Sequence, residues 1–497
     1  MIALMSIGMI GSGCSDSALD EPFDHIILIS LDTTRADHLG CYGSDKGVSS
    51  AIDAIASKGV VFRDVTAPAP TTLSSHTSMM TGSYSQTHGV ARNGFLIHED
   101  NQMLAELLQA RGFHTAAVLG SFALERRFGF NQGFDHFDEE FDVLILPGGV
   151  DQNQRSAERV TDAALAHVDE AKPEKLFLFT HYFDAHLPYN PPPEVAKKHV
   201  QEGQPMEVSL NVAENIVAGH QYKITGKGIG LTQVASRGLD KRWIEEALER
   251  PLRGEKVMAA LYAAEIEEMD AHIGRLLREL DKRGYLERAL VIITGDHGET
   301  FWEHGNIWNH GLWTHQTTVA IPLIMRFPQG DYASREVMDP VSTVDLVPTL
   351  VELLGIKQPP LVEGTSLVPA LEGSPFERGP VYSQATQPVS RFEEGEAWQN
   401  MQKPRCVRDG KWKYIHAPYL ELEQLFDLEV DPGETSNLLR SEPVPADAVQ
   451  AHTRLKALMA DWIASARPLS SEMSAVQMLE TMQRLKAMGY GGGEEEE

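Results

Sequence analysis

The stretch His25-Ile-Ile-Leu-Ile-Ser-Leu31 puts aliphatic side chains on both faces of an extended chain and then stops at an acid, Asp32. Side chains of a strand alternate between faces, so such a run fits a strand covered on both sides, as in a parallel sheet sandwiched by helices. Comparable runs recur at Thr115–Leu119, Leu176–Thr180, Leu290–Thr294 and Pro322–Phe327. Helical periodicity lies between them, most clearly over Met258–Leu280, where Leu261, Ile266, Met269, Ile273, Leu276 and Leu280 share one apolar stripe. The alternation predicts an α/β fold, a mostly parallel central sheet flanked by helices. Functional groups of such sheets gather at the carboxyl ends of strands, and here Asp32, His181 and Asp296 each follow a buried run.

The character changes after about residue 375. Trp412–Ile415 and Leu425–Leu428 read as short strands and Asp431–Gly433 as a turn, which predicts a small C-terminal α+β subdomain. The expected organisation is a leader over 1–14, a linker over 15–23 and a main domain over 24–375 with an inserted loop region at 190–255. A C-terminal subdomain over 376–470 and a helix with an acidic tail over 471–497 complete it. Residues 1–13 are small and apolar, too short a segment to span a bilayer, and Cys14 opens a polar stretch. This resembles a bacterial lipoprotein signal, although no Lys or Arg precedes the apolar run; the other reading is a plain N-terminal extension. The resemblance implies an exported protein, in the periplasm or at the cell surface, anchored to the membrane by lipid on Cys14. Asp and Glu number 71 against 43 Lys and Arg, a formal charge of −28. That field argues against a nucleic-acid partner and demands a cation wherever an anion is bound. Cys14, Cys41 and Cys406 offer neither a disulfide framework nor a C-x-x-C pair. Oligomeric state has no signature in the sequence.

Four clusters carry chemistry. Ser30–His38 (SLDTTRADH) sets Asp32 at a strand end, where a carboxylate is costly unless it is paired or holds a metal; a helix cap is the other reading. Thr71–Gly82 (TTLSSHTSMMTG) opens a helix whose first amides can hold an anion, although on local composition alone ordinary Ser/Thr capping is the better reading. Thr294–His310 (TGDHGETFWEHGNIWNH) supplies Asp296, His297, His304 and His310. This is an oxygen and nitrogen set that suits zinc or manganese better than calcium or magnesium. His181–Tyr189 (HYFDAHLPY) adds His181, Asp184 and His186, the last able to protonate a leaving group or bind metal; a packed loop histidine is the alternative.

Together these clusters resemble the sulfatase family of the alkaline-phosphatase superfamily. The shared order is S-x-D-x-x-R-x-D-H, a nucleophile segment ending in M-T-G, D-x-H-x-P-Y, D-H-G-E, and E-H-G-x-x-x-x-H-G; C-V-R-D-G-K-W-K-Y and L-F-D-L-E-V-D-P-G-E-T-S-N-L follow. The likeness spans residues 24–440 and implies a metal-dependent hydrolase of sulfo- or phosphoesters, with a small anionic ester or glycan as substrate. It implies one divalent ion held by Asp32, Thr72, Asp296 and His297. Thr72 stands where sulfatases carry the Cys or Ser that is oxidised to formylglycine, with Ser74 and His76 at the family's proline and arginine. Oxidised threonine would be a ketone, so no formylglycine is expected. Gly120-Ser121-Phe122 replaces the family's G-K-W-H.

The segment is instead similar to nucleotide pyrophosphatase/phosphodiesterases, with Thr72, His76, Thr81-Gly82, His88-Gly89 and Asn93 in matching order. That resemblance implies a two-step displacement through a phospho-threonine, with Thr72 attacking phosphorus and Asn93 donating to a non-bridging oxygen. His76 and His181 are expected at the substrate, and His186 and His310 at the leaving group or the transferred oxyanion. A second ion, held by Asp184, His186 and His310, is a further expectation. Two other readings remain: a sulfatase in the strict sense, and an inactive glycan-binding lipoprotein.

Overall fold

In the computed structural model, eight strands form the central sheet, ordered Arg335–Val337, Val60–Phe62, Leu323–Arg326, Ala289–Gly295, His25–Leu31, Leu176–Tyr182, His114–Val118 and His136–Asp138. The structure describes residues 22–146, 150–187, 189–199, 224–225, 228–229, 251–301, 303–305, 310–385 and 403–469. Strand Leu323–Arg326 runs against both of its neighbours, and every other pairing is parallel. The central strand explains why the run at 25–31 has no polar face. Ile26 and Leu28 pack into one buried layer, with Phe177, Phe179 and Leu290 from neighbouring strands. Ile27, Ile29 and Leu31 pack into the other, beside Leu261, Ile266 and Met269 of the helix Pro251–Lys282. Each such aliphatic side chain contributes roughly 1.5–3 kcal/mol when removed from water.

A four-stranded antiparallel sheet, Val381–Gln384, Arg405–Asp409, Trp412–Ala417 and Leu422–Asp427, follows near the C-terminus. Helix Ala446–Ala464 covers it through Ala448, Leu455 and Met459 against Val407, Tyr414 and Leu425. Buried polar contacts tie this sheet to the main one. Lys413 Nζ lies 2.6 Å from Glu434, whose other oxygen accepts from the Gln316 amide at 2.6 Å, and His315 Nε2 meets Gln424 Oε1 at 3.2 Å.

Cys14, the leader, most of the 190–255 region and the expected helix with its acidic tail lie outside the described residues. Among the described residues no helix is long and apolar enough to cross a membrane.

Candidate active site

The register of the three central strands builds the site. Leu31 lies opposite both Gly295 and Tyr182, so the next residues, Asp32 and Asp296, emerge side by side at the carboxyl edge, and Ser30 sits beside His181. Thr33 then turns with a φ of 50°, a left-handed conformation that costs a β-branched residue about 1–3 kcal/mol. Its surroundings hold it there. The Thr33 amide donates to Asp296 Oδ1 at 3.1 Å, and its carbonyl accepts from Tyr262 Oη at 2.7 Å.

Thr72 opens the helix Thr72–Thr81 over this edge, with Oγ1 donating to Asp32 Oδ2 at 3.4 Å. The helix ends at Gly82, whose φ of 70° satisfies the Ser78 carbonyl; a Cβ there would meet Val347 at 3.0 Å. Leu73 N donates to Asn93 Oδ1 at 2.8 Å. That bond fixes which end of the Asn93 amide faces inward, and its Nδ2 is buried without a protein partner.

Asp32, Asp296 and His297 are fully buried, and their free ligand atoms converge. His297 Nδ1 donates to the Gly298 carbonyl at 3.0 Å, which leaves Nε2 as a lone-pair donor 3.4 Å from Asp296 Oδ2 and 3.9 Å from Asp32 Oδ1. Each of these three converging atoms, Asp32 Oδ1, Asp296 Oδ2 and His297 Nε2, lacks a hydrogen-bond partner. Burial pushes the Asp32 carboxyl up to about 6 and, with the charge of Asp32 adding to it, Asp296 up to about 7. Burial with the nearby His310 pulls His297 down to about 4, which keeps it neutral. Two destabilised carboxylates and one neutral imidazole aimed at a common point fit a divalent cation.

His76 and His181, expected at the substrate, occupy other posts. His76 Nδ1 donates to the Thr72 carbonyl at 2.8 Å and its Nε2 accepts from Ser30 Oγ at 2.7 Å, while burial holds the ring neutral, near a pKa of 3. His181 Nε2 donates to Asp32 Oδ2 at 3.0 Å. Both rings are fully buried and hydrogen-bond to Ser30, the Thr72 carbonyl and Asp32 inside the protein, an arrangement that holds Asp32 and the start of the Thr72 helix in place.

Asp184 also departs from its expected post. Its Oδ1 accepts from the Ala157 amide at the start of helix Ala157–Ala171. His186, on the same turn, instead stacks on Phe183 and meets the His310 ring at 5.1 Å. Among the described residues, Asp184, His186 and His310 form no three-residue ligand group. The turn sends positions 184 and 186 in different directions, a separation that the D-x-H spacing conceals.

His310 lies 4.5 Å from the His297 ring, and its Nδ1 donates to Glu299 Oε2 at 3.0 Å. Burial alone would lower its pKa, but Glu299, Asp32 and Asp296 together outweigh burial and raise it above the ordinary histidine value. Sequence reasoning missed Glu299, Tyr262 and Ser75, whose Oγ donates to the Asp296 carbonyl at 2.6 Å. Glu299 was legible as the acid of D-H-G-E; Tyr262 lay unmarked in a helical stripe. His304 sits apart from the site, stacked 3.9 Å from His315 beside Glu434. That trio could hold a metal by proximity, but the Lys413 ammonium already neutralises Glu434 there.

This is an α/β fold whose converging polar groups lie at the carboxyl edge of its central sheet. The sulfatase family model matches residues 24–356, and a second, described as N-sulphoglucosamine sulphohydrolase, C-terminal, matches 303–461; the chain belongs to the sulfatase family. It is accordingly a hydrolase acting on ester bonds. N-acetylglucosamine-6-O-sulfatase of Bacteroides thetaiotaomicron is 22% identical over 477 residues, covering 83% of this chain and 82% of that protein. A structure solved in complex with its substrate D-glucosamine-2-N,6-O-disulfate shares the fold with a TM-score of 0.67 at 20% identity, over 89% of this chain and 99% of the other. The phosphonate monoester hydrolase of Agrobacterium radiobacter does so with a TM-score of 0.67 at 21% identity, over 88% and 96%.

Proposed function

We propose that the chain cleaves an anionic ester with Thr72 Oγ1 as nucleophile, and that phosphoesters, in the manner of a phosphodiesterase, are its preferred substrates. The observation that carries this is the Thr72 hydroxyl at the start of a helix, 3.4 Å from Asp32, with Asn93 tied to the next residue, Leu73, and its Nδ2 left without a partner. Asp32, Asp296 and His297 would hold a divalent ion, zinc or manganese in preference to calcium or magnesium. Such an ion lowers the pKa of a neighbouring hydroxyl and neutralises charge developing on the transferred group. Thr72 Oγ1 bonds to phosphorus as the bond to the leaving alcohol breaks, and water then hydrolyses the phospho-threonine. Asn93 Nδ2 donates to a non-bridging oxygen throughout. His310, oriented by Glu299, gives a proton to the leaving oxygen, with His186 beside it.

A second reading, sulfate-ester hydrolysis through the same threonine, is favoured by the relative named N-acetylglucosamine-6-O-sulfatase and by the neighbour bound to a disulfated glucosamine. The deciding experiment compares aryl phosphodiester, phosphomonoester and sulfate turnover, with and without chelator, in the wild type and in Thr72→Ala. Turnover that disappears in the variant, with a phospho or sulfo adduct trapped on Thr72 in the wild type, supports the assignment. An adduct on Ser74 or Ser75 overturns it.

A further inference from the structure

Three imidazoles meet at the rim of the central sheet, away from the carboxylates of the candidate active site. Residues of a strand alternate between faces, so His114 and Ala116 share one face of the strand His114–Val118. Ala116 pairs with His136, the first residue of the edge strand His136–Asp138, which puts both histidines on that face. Helix Ala157–Ala171 covers it, with Ala164 and Val168 in the same buried layer as Ala116. His167, one helical turn beyond Ala164, meets both strand histidines. Its ring stacks on His136 with centres 3.6 Å apart and planes 10° from parallel, and its Nε2 lies 2.9 Å from His114 Nε2. His114 pairs with Leu176, five residues before His181 on the same strand, so this rim is about 17 Å from the catalytic edge.

The three rings are half-buried, and solvent reaches them. Asp135 Oδ2 lies 3.6 Å from His114 Nδ1 and is itself held by the Thr115 amide at 3.0 Å. A carboxylate in that place keeps a proton on Nδ1 and leaves Nε2 as a lone-pair donor, the orientation a metal-binding histidine needs. Burial, with the rings of His136 and His114 adding to it, draws His167 down to about 4, so this ring too is neutral at ordinary pH. Two metal–nitrogen bonds of about 2.0–2.1 Å that span a 2.9 Å separation meet at about 90°. Neighbouring positions of a square-planar or octahedral ion subtend that angle, whereas a tetrahedral ion would hold its nitrogens about 3.3 Å apart. The His136 ring lies in a nearly parallel plane, so it fixes the tilt of His167 and does not aim at the same point. The net charge of −28 favours a cation anywhere on this surface.

We propose that His114 Nε2 and His167 Nε2 chelate one copper(II) or nickel(II) ion, which joins the helix Ala157–Ala171 to the sheet and is separate from any ion held by Asp32, Asp296 and His297. Solvent completes the coordination, and the proton of His167 moves to its Nδ1 when the ion binds. The inference is independent of the reaction proposed above.

The test adds copper(II) to the dialysed full chain, in the wild type and in His114→Gln, His167→Gln and His136→Phe, and follows binding by calorimetry and electron paramagnetic resonance. The wild type should show copper bound to two imidazole nitrogens, a signature that the trio of Asp32, Asp296 and His297, with one imidazole, does not give. Each glutamine variant should lose that signal and bind copper at this site at least about tenfold more weakly. The two replacements lie on different elements, so if one fails to fold the other carries the comparison. His136→Phe keeps a ring against His167 and should retain the ion. Copper held by a single imidazole in the wild type, binding unchanged in the glutamine variants, or loss of the signal in folded His136→Phe overturns the chelate.

Discussion

Asn93→Ala and Asn93→Asp separate the two halves of a single amide. In the native side chain Oδ1 accepts from Leu73 N at 2.8 Å, and Nδ2 is buried without a protein partner. Alanine removes both functions. Loss of one preorganised donor to a developing oxyanion lowers kcat by about 10²–10³. The Leu73 amide, left buried without an acceptor at the start of its helix, weakens the fold by about 1–3 kcal/mol. Aspartate has almost the same shape and keeps the acceptor, so the Leu73 bond survives, while the new buried carboxylate carries a desolvation cost of its own. It replaces the donor with negative charge facing the anionic group. Two like charges about 4 Å apart at an effective dielectric of about 20 repel by ~4 kcal/mol, equivalent to about a thousandfold in rate. Both variants therefore lose activity, but only alanine leaves the Leu73 amide without its acceptor. Steady-state turnover of an aryl phosphodiester and urea unfolding measure the two quantities. An alanine variant with wild-type kcat, or an aspartate variant as active as the wild type, would refute the role given to Nδ2. An alanine variant as stable as the wild type would refute the account of Oδ1.

Asp296→Asn should lose its divalent ion and its turnover together, as measured by elemental analysis after dialysis, because ligand charge holds a hard cation; stoichiometric metal in an inactive variant would remove Asp296 from the ligand set. His310→Ala should leave the metal content of the wild type unchanged while slowing the reaction, whereas two equivalents falling to one would reinstate the second ion. The imidazoles of His114, His136 and His167 crowd together on the sheet edge, His136 stacked 3.6 Å from His167 and His114 Nε2 2.9 Å from His167 Nε2. Burial and the other two rings draw His167 down to about 4. The unfolded chain therefore takes up a proton below about pH 6.5 that the folded chain refuses, and stability falls as pH drops from 6.5 to 4. His167→Gln should flatten that fall in urea midpoints compared at pH 7 and pH 5; an unchanged slope would show that the crowding carries no titration penalty.

Elements covered on both faces were the ones open to reading from the sequence. His25–Leu31, Leu176–Tyr182 and Ala289–Gly295 declare themselves because neither face of the strand meets water. Val60–Phe62, His136–Asp138 and Arg335–Val337 are three residues each, too short for a period to register. The reversed direction of Leu323–Arg326 is a property of pairing and leaves no trace in composition. Within the site, an acid placed directly after a buried strand points to Asp32 and Asp296, since only pairing or a cation makes that position tolerable. The roles of His76, His181 and Asp184 depended on rotamers and partners brought from 46 to 149 residues away, or from a helix start 27 residues away, which no local spacing reveals.

The site is held together by groups that contribute nothing to its chemistry. Asp32 and Asp296 oppose folding when both are ionised, since burial raises both carboxyls and the charge of Asp32 raises Asp296 further. The strained φ of Thr33 adds to that burden. A strand pair free to slip would relieve both by moving one acid out of line. Slippage by one residue would, however, turn every side chain of the strand to the opposite layer, and Ile26, Ile27, Leu28 and Ile29 are each fully buried in a layer already filled. The aliphatic sequence of the central strand therefore fixes the register, the register sets the two carboxylates abreast, and Tyr262 locks the turn that follows them. A cation held by Asp32, Asp296 and His297 would return the electrostatic part of the penalty, and its occupancy would then be coupled to stability as well as to turnover.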